Sequence, residues 1–162
     1  ISPLVGYHGA AMSKFIFPIQ IRWSDIDANR HLRHSAYYDY AATARMQLLY
    51  ERGLTTEKLE EFQIGPILFR EEAIFRREIR LEDKISLEVE ITKASPDYSR
   101  WSLRHVFYKS DGTMATQLFI DCAWMDLVRR KLTQPNAFMK EVFESLPRSA
   151  EFEWLDAPEK RS

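Results

Sequence analysis

Five side chains that could bind a metal or move a proton lie within one ten-residue stretch of the sequence: Asp25, Asp27, Asn29, His31 and His34. An alternating apolar segment typical of a strand precedes this stretch, and a helical pattern begins after Ser35. Free N–H groups at a helix N-terminus stabilise an oxyanion, while a nearby carboxylate can attack a carbonyl or activate water. The spacing therefore favours acyl transfer.

Other chemistries fit the same stretch less well. Interpreted as a calcium loop that starts at Asp25, the sequence has Arg30 where glycine is required and Ala36 where a bidentate Glu is required. Two Asp and two His could hold a transition metal, but no Cys or second His pair completes a ligand set. Motifs for a serine elbow, a P-loop or a dinucleotide cofactor are absent from the sequence. We therefore predict no metal and no cofactor.

Capping and turn formation are the structural alternative for these residues, because Asp and Asn commonly precede helices. For Asp25 we favour that alternative: its offset predicts that it turns away from Asp27 and braces the loop by hydrogen bonds. His31 and His34, three residues apart, could be solvated or could cap the neighbouring helix. Cys122 is interpreted as a small buried strand residue rather than a nucleophile.

Periodicity predicts the elements that position the stretch. Apolar residues at alternate positions over residues 15–23 predict a first strand. Ser35 is a suitable N-cap for an amphipathic helix, and Gly53 is a suitable residue to end it. A short second helix is predicted over residues 55–62, before a break at Gly65-Pro66. The apolar face of the long helix comprises Tyr37, Tyr40, Ala41, Ala44, Leu48 and Leu49.

Antiparallel strands are predicted in the second half of the chain. Residues 67–79 are extended, residues 85–91 and 101–107 alternate, and residues 114–127 form a long final strand that is apolar on both faces. Asp111-Gly112 predicts a tight hairpin turn. A last helix over residues 135–146 would present one apolar stripe, formed by Phe138, Val142 and Leu146.

This order of elements predicts one α+β domain. A single sheet must cover the long helix, because nothing else can bury its apolar face. We expect a central helix wrapped by a curved antiparallel sheet of about five strands. Residues 12–146 are assigned to this domain and residues 147–162 to a C-terminal tail. Residues 1–11, before Met12, are interpreted as a vector-derived remnant, upstream translation or a disordered N-terminus.

Composition limits the partners. The chain has 162 residues, 45% of them hydrophobic, and a formal charge of −1, so it offers no general positive field to nucleic acid or to an anionic bilayer. No apolar run approaches the roughly 20 residues that cross a membrane. A single cysteine cannot form an internal disulfide, which permits a reducing compartment, and we expect a cytoplasmic protein.

The run RWSDIDANRHLRHSAYYDYAATAR, residues 22–45, resembles the signature of hotdog-fold thioesterases, in which a strand leads through an Asp-x-Asp loop into a central helix. The resemblance implies a single hotdog domain with Asp27 as the catalytic carboxylate, as in the 4-hydroxybenzoyl-CoA thioesterase group. Asp27, Asn29 and His31 are similar to the Asp-Asn-His set of plant-type acyl-carrier-protein thioesterases. His34 falls where bacterial acyl-CoA thioesterases of the Tol-Pal-associated type often have a histidine. Arg30 departs from the pattern, because glycine is frequent there.

The resemblance further implies hydrolysis of acyl-CoA or acyl-carrier-protein thioesters, without a cofactor, by a homodimer or dimer of dimers. The two-sided apolar strand also predicts cover from a second subunit. A non-catalytic acyl-binding hotdog protein and a hotdog hydratase or dehydratase are the alternatives.

Charged residues on the predicted strands are left without an assigned function. Either Glu71 or Glu72 could face the pocket, and neither is assigned a role. Arginines on the predicted strands could contact the phosphates of coenzyme A, although such residues are usually solvated: Arg70, Arg76, Arg77, Arg80, Arg100 and Arg104.

Overall fold

A computed structural model of the protein describes residues 14–156. The interpretation of residues 1–11 and of Met12 lies outside this range. Within it the chain forms, in order, β1 (Ile16–Ile19), α1 (Ala36–Glu51), α2 (Thr56–Phe62), β2 (Ile64–Phe75), β3 (Ile85–Ala94), β4 (Arg100–Lys109), β5 (Met114–Asp126), β6 (Lys131–Thr133), α3 (Ala137–Glu144) and β7 (Arg148–Trp154).

All seven of these strands join one sheet, whose main order is β1-β3-β4-β5-β2 with antiparallel neighbours. The predicted α+β domain, with one sheet and a long central helix, is therefore confirmed. The sheet exceeds the expected five strands because β6 pairs with β5 and β7 runs parallel to β3. Strand β7 lies in the segment that we assigned to a C-terminal tail.

Helix α1 packs its predicted face against the sheet. Ala41, Ala44, Leu48 and Leu49 are buried on it, and the helix contacts β3 and β5. The small side chains let the helix approach the sheet closely, and the burial of this face holds the start of α1 in place. Gly53 has a φ of +92°, the left-handed conformation predicted for the residue that ends the helix.

Two predictions about strand boundaries were wrong. The first strand ends at Ile19, and Trp23 begins a short 3₁₀ turn in which its side chain is 78% exposed. Pairing with β3 ends there because Ile19 lies opposite Ile85, the first residue of β3. Gly65-Pro66 does not break the chain but lies within β2, which tolerates proline because β2 is an edge strand.

The last helix also differs in detail from the prediction. It begins at Ala137, and the Asn136 side chain caps it by accepting the amide hydrogen of Met139. Of the predicted apolar stripe, Val142 and Leu146 are buried but Phe138 is 38% exposed, whereas Met139 and Phe143 are fully buried. None of the helices in residues 14–156 has the length and apolar content needed to cross a membrane.

Candidate functional site

A closed turn over residues 27–31 leads from the first strand into α1. Ile26 and Leu32 pair across its base, and the amide of Asp27 donates to the carbonyl of His31 at 2.9 Å. The amide of Arg30 donates back to the carbonyl of Asp27 at 3.0 Å. Arg30 itself has a φ of +65°, a region that favours glycine. This conformation gives a physical reason why glycine suits that position of the loop.

The turn orients the carboxylate of Asp27. Its Oδ1 accepts hydrogen bonds from the amides of Asn29, at 2.9 Å, and His31, at 3.3 Å. Its Oδ2 has no partner within residues 14–156, and the residue is exposed. One oxygen is therefore fixed by the backbone while the other is available to a ligand or to water.

Asp25 has the structural role predicted for it. It is 2% exposed, and its two oxygens accept hydrogen bonds from Arg22, Arg33 and Tyr40 at 2.8–2.9 Å. Burial alone would raise the pKa of Asp25, but the hydrogen bonds from Arg22 and Tyr40 outweigh it and hold the pKa below its usual value. Asp25 thus fastens the loop to α1 and does not reach the cavity described below.

His31 is paired with an acid that the sequence did not reveal. Its Nε2 lies 2.5 Å from Oε2 of Glu78, a residue of the segment after β2. Arg80 binds Oε1 of the same carboxylate at 2.8 Å. The hydrogen bond from Arg80 and the proximity of His31 lower the pKa of Glu78 against the opposing effect of burial. Glu78 is therefore an ionised group that holds the imidazole ring of His31.

A surface cavity of about 340 Å³ brings these groups together. Of the predicted site residues, Asp27, His31 and His34 line it, whereas Asn29 contributes its amide to Asp27 but does not line the cavity. The remaining wall contains apolar, aromatic and charged side chains that sequence reasoning had not placed there: Leu32, Tyr37, Phe75, Arg76, Arg77 and Glu78.

The first turn of α1 borders this cavity through Tyr37. Ser35 occupies the predicted N-cap position, but its hydroxyl makes no cap bond and instead accepts from Nε of Arg33 at 3.1 Å. The backbone N–H groups of the first turn consequently have no side-chain cap from Ser35. Such groups, together with the helix dipole, favour an anion or a developing oxyanion.

Two further titratable residues lie inside the domain and are inert. Burial raises the pKa of Cys122 to about 12, so the residue is a thiol and not a thiolate nucleophile, as predicted. Burial and the nearby charge of Arg45 lower the pKa of His105 to about 3, so its ring is neutral. Within the described range, no group of three or more His, Cys, Asp or Glu residues is arranged to hold a metal ion.

Comparison with known sequences gives one family match. Residues 21–144 match the profile of the thioesterase-like superfamily, which is more than half of the chain. No curated protein sequence matches the chain.

Several solved structures have the same fold. A Staphylococcus aureus protein in complex with CoA is 18% identical with a TM-score of 0.74, over 85% of this chain and 89% of that one. A DHNA-CoA thioesterase from the same organism is 16% identical with a TM-score of 0.73, over 82% and 87%. A 1,4-dihydroxy-2-naphthoyl-CoA thioesterase from Synechocystis is 14% identical with a TM-score of 0.73, over 81% and 96%. The hotdog fold expected from the sequence is confirmed.

Proposed function

This chain belongs to the thioesterase-like superfamily, and we propose that it hydrolyses acyl thioesters of coenzyme A, or of acyl carrier protein, to a free acid and a thiol. The observation that supports this most directly is the position of Asp27. Its carboxylate, one oxygen of which has no partner in residues 14–156, lines the same cavity as the first turn of α1. The proposed reaction uses no cofactor.

Asp27 supplies the attacking group in one of two ways. As a general base, Oδ2 removes a proton from a water molecule that attacks the thioester carbonyl. As a nucleophile, Oδ2 attacks the carbonyl carbon, the C–S bond breaks to release the thiolate, and the resulting anhydride is cleaved by water. Both routes need a carboxylate held in one orientation, and the two amides bound to Oδ1 provide that orientation.

The other residues stabilise charge and transfer protons. The backbone amides near Ser35 and Tyr37 polarise the thioester carbonyl and stabilise the oxyanion. His31, held by Glu78, assists proton transfer or supports the Asp27 carboxylate. His34, in the same cavity, is a second candidate for proton transfer to the leaving thiolate. Asn29 acts through its backbone amide, which orients the Asp27 carboxylate, because the residue does not line the cavity.

We also propose that the protein acts as a homodimer or as a dimer of dimers. Strand β2 has 12 residues and pairs only with β5, so one of its edges is free within the described chain. Leu68, Phe69 and Phe75 on this strand are 46%, 53% and 50% exposed. A long free edge with apolar side chains favours association with a second chain. A cytoplasmic location stays a prediction from the single cysteine.

Thiol release from a panel of acyl-CoAs tests the proposed activity. Asp27→Asn should lower kcat by about 100-fold or more, because the amide is neither a base nor a nucleophile. Asp39→Asn, at an exposed carboxylate outside the cavity wall, is the matched control and should retain full activity. Near wild-type hydrolysis by a folded Asp27→Asn protein would exclude this mechanism.

The same panel separates the alternatives. Binding of acyl-CoA without thiol release would identify a non-catalytic acyl-binding protein. Formation of a double bond from a β-hydroxyacyl-CoA, again without thiol release, would identify a dehydratase. Thiol release that depends on Asp27 supports the thioesterase.

A further inference from the structure

Two arginines in the cavity wall carry positive charge that no acid of the described chain neutralises. Of the six strand arginines considered from the sequence, three pair with carboxylates and one lies over an aromatic ring: Arg70, Arg80, Arg104 and, on Phe69, Arg100. Arg76 and Arg77 line the cavity, and within residues 14–156 neither has a carboxylate within ion-pair distance. Both residues are exposed.

The backbone turns both arginines toward the same space. Consecutive side chains of a regular strand point to opposite faces. Strand β2 ends at Phe75, however, and the chain bends at Arg77, so the amides of Arg76 and Arg77 both donate to the carbonyl of Ala115, at 2.9 and 3.0 Å. As a result, both side chains line one cavity.

Most of their hydrogen-bond donors are free. Nη1 of Arg77 donates to the carbonyl of Arg76 at 3.0 Å, and no other side-chain bond of either residue occurs in the described chain. A guanidinium has five N–H donors, so most remain for a ligand. Glu78, the acid next in sequence, is already bound by Arg80 and His31.

We propose that Arg76 and Arg77 form a binding site for phosphate groups of the substrate's thiol carrier, as found in coenzyme A. Guanidinium groups bind phosphate oxygens through paired hydrogen bonds. Two uncompensated charges match the multiple negative charges of this carrier, whereas a single carboxylate would leave one arginine unpaired. The proposal rests on the proposed function, because it assigns a ligand to the same cavity.

Two substrates, one with phosphate groups and one without, test the site in the 162-residue chain. The double variant Arg76→Gln/Arg77→Gln is assayed with an acyl-CoA and with the same acyl group on pantetheine, which has no phosphate. We expect KM for the acyl-CoA to rise by about 10- to 100-fold, as for the loss of charged hydrogen bonds, with kcat little changed. With acyl-pantetheine, KM and kcat should both stay at wild-type values. Arg129→Gln/Lys131→Gln is the control, because it removes the same amount of charge beyond the other end of β5. It should leave KM and kcat unchanged for both substrates.

Three results would contradict the assignment of Arg76 and Arg77 to phosphate binding. They are an unchanged KM for acyl-CoA, an equal rise in KM with acyl-CoA and acyl-pantetheine, and a rise in KM confined to thioesters whose acyl group carries a carboxylate.

Calorimetric binding of CoA alone separates this inference from the proposed reaction. If no thioester is hydrolysed but CoA binds the wild type and binds the double variant at least tenfold more weakly, the site stands and the reaction fails. If CoA does not bind the wild type, the site fails even where hydrolysis is observed.

Discussion

Asp25 and Asp27 are two positions apart, and their surroundings give them different tasks. Asp25 is buried among two guanidinium groups and a phenol, which hold it ionised and immobile. Asp27 is exposed, and within residues 14–156 it binds only backbone amides of its own turn. The first carboxylate therefore stabilises the loop, and the second is free to react. Residue type alone does not separate them, although Asp25 was predicted from the sequence to turn away from Asp27 and brace the loop.

We expect Asp25→Asn to destabilise the fold by about 2 kcal/mol at pH 7, because an amide cannot satisfy Arg22, Arg33 and Tyr40 together. The loss is smaller than for a fully buried ion pair because Arg22 and Arg33 are 61% and 37% exposed. Urea unfolding of both proteins measures it.

The same substitution has a defined pH dependence. The pKa of Asp25 is below the usual 3.8, so the folded state binds fewer protons than the unfolded state at acidic pH. The stabilisation is complete above the usual value and is lost as pH falls through the folded value. The difference between wild type and Asp25→Asn should therefore narrow as pH is lowered from about 5 to 3. A difference that is constant over this range would contradict the assignment of charge to Asp25.

Glu78 is the acid whose removal should affect His31 without changing substrate binding. Glu78→Gln removes the charge that fixes the imidazole, and we expect kcat to fall by about tenfold with KM unchanged. Glu78→Asp should restore part of kcat, because it keeps the charge. Glu60→Gln, at an exposed acid of α2, is the control. A rise in KM, with kcat unchanged, would assign Glu78 to binding instead.

At the scale of elements, local signals explain what could be predicted. Helix α1 was predicted from Ser35 to Gly53 because its cap position, apolar spacing and terminal glycine are all encoded within one segment. The turn that carries Asp27 was located for the same reason. Strand β7 was not predicted, because its place depends on a parallel partner, β3, far away in the chain.

Distant contacts also explain the individual residues whose positions were not predicted from the sequence. Pro66 resembles a chain break in sequence, yet an edge strand accommodates it, and only the sheet order shows that β2 is an edge. Glu78 contributes to the site only because the segment after β2 returns to the loop of His31. Contacts between segments far apart in the chain thus determine the part of the site that could not be predicted from the sequence.

At the scale of the whole molecule, the free edge of β2 and the cavity share a residue. Phe75 ends β2, lines the cavity and packs edge-on against Tyr37 of α1 with ring centroids 5.0 Å apart. Half of the Phe75 side chain is exposed in the single chain. A second chain bound along β2 would therefore also contact the cavity wall, and the proposed dimer would then be coupled to the proposed activity.

Charges on this edge should separate the subunits. We expect Leu68→Lys/Phe69→Lys to convert the proposed dimer of the 19.2 kDa chain into a monomer, because two buried charges per chain would oppose strand pairing. Sedimentation velocity measures the mass, and kcat/KM should fall with it because Phe75 loses its cover. Val128→Lys/Leu132→Lys, at residues 66% and 50% exposed outside β2, is the matched control and should stay dimeric. A wild-type monomer, or a dimeric β2 variant, would show that this edge is not the contact between subunits.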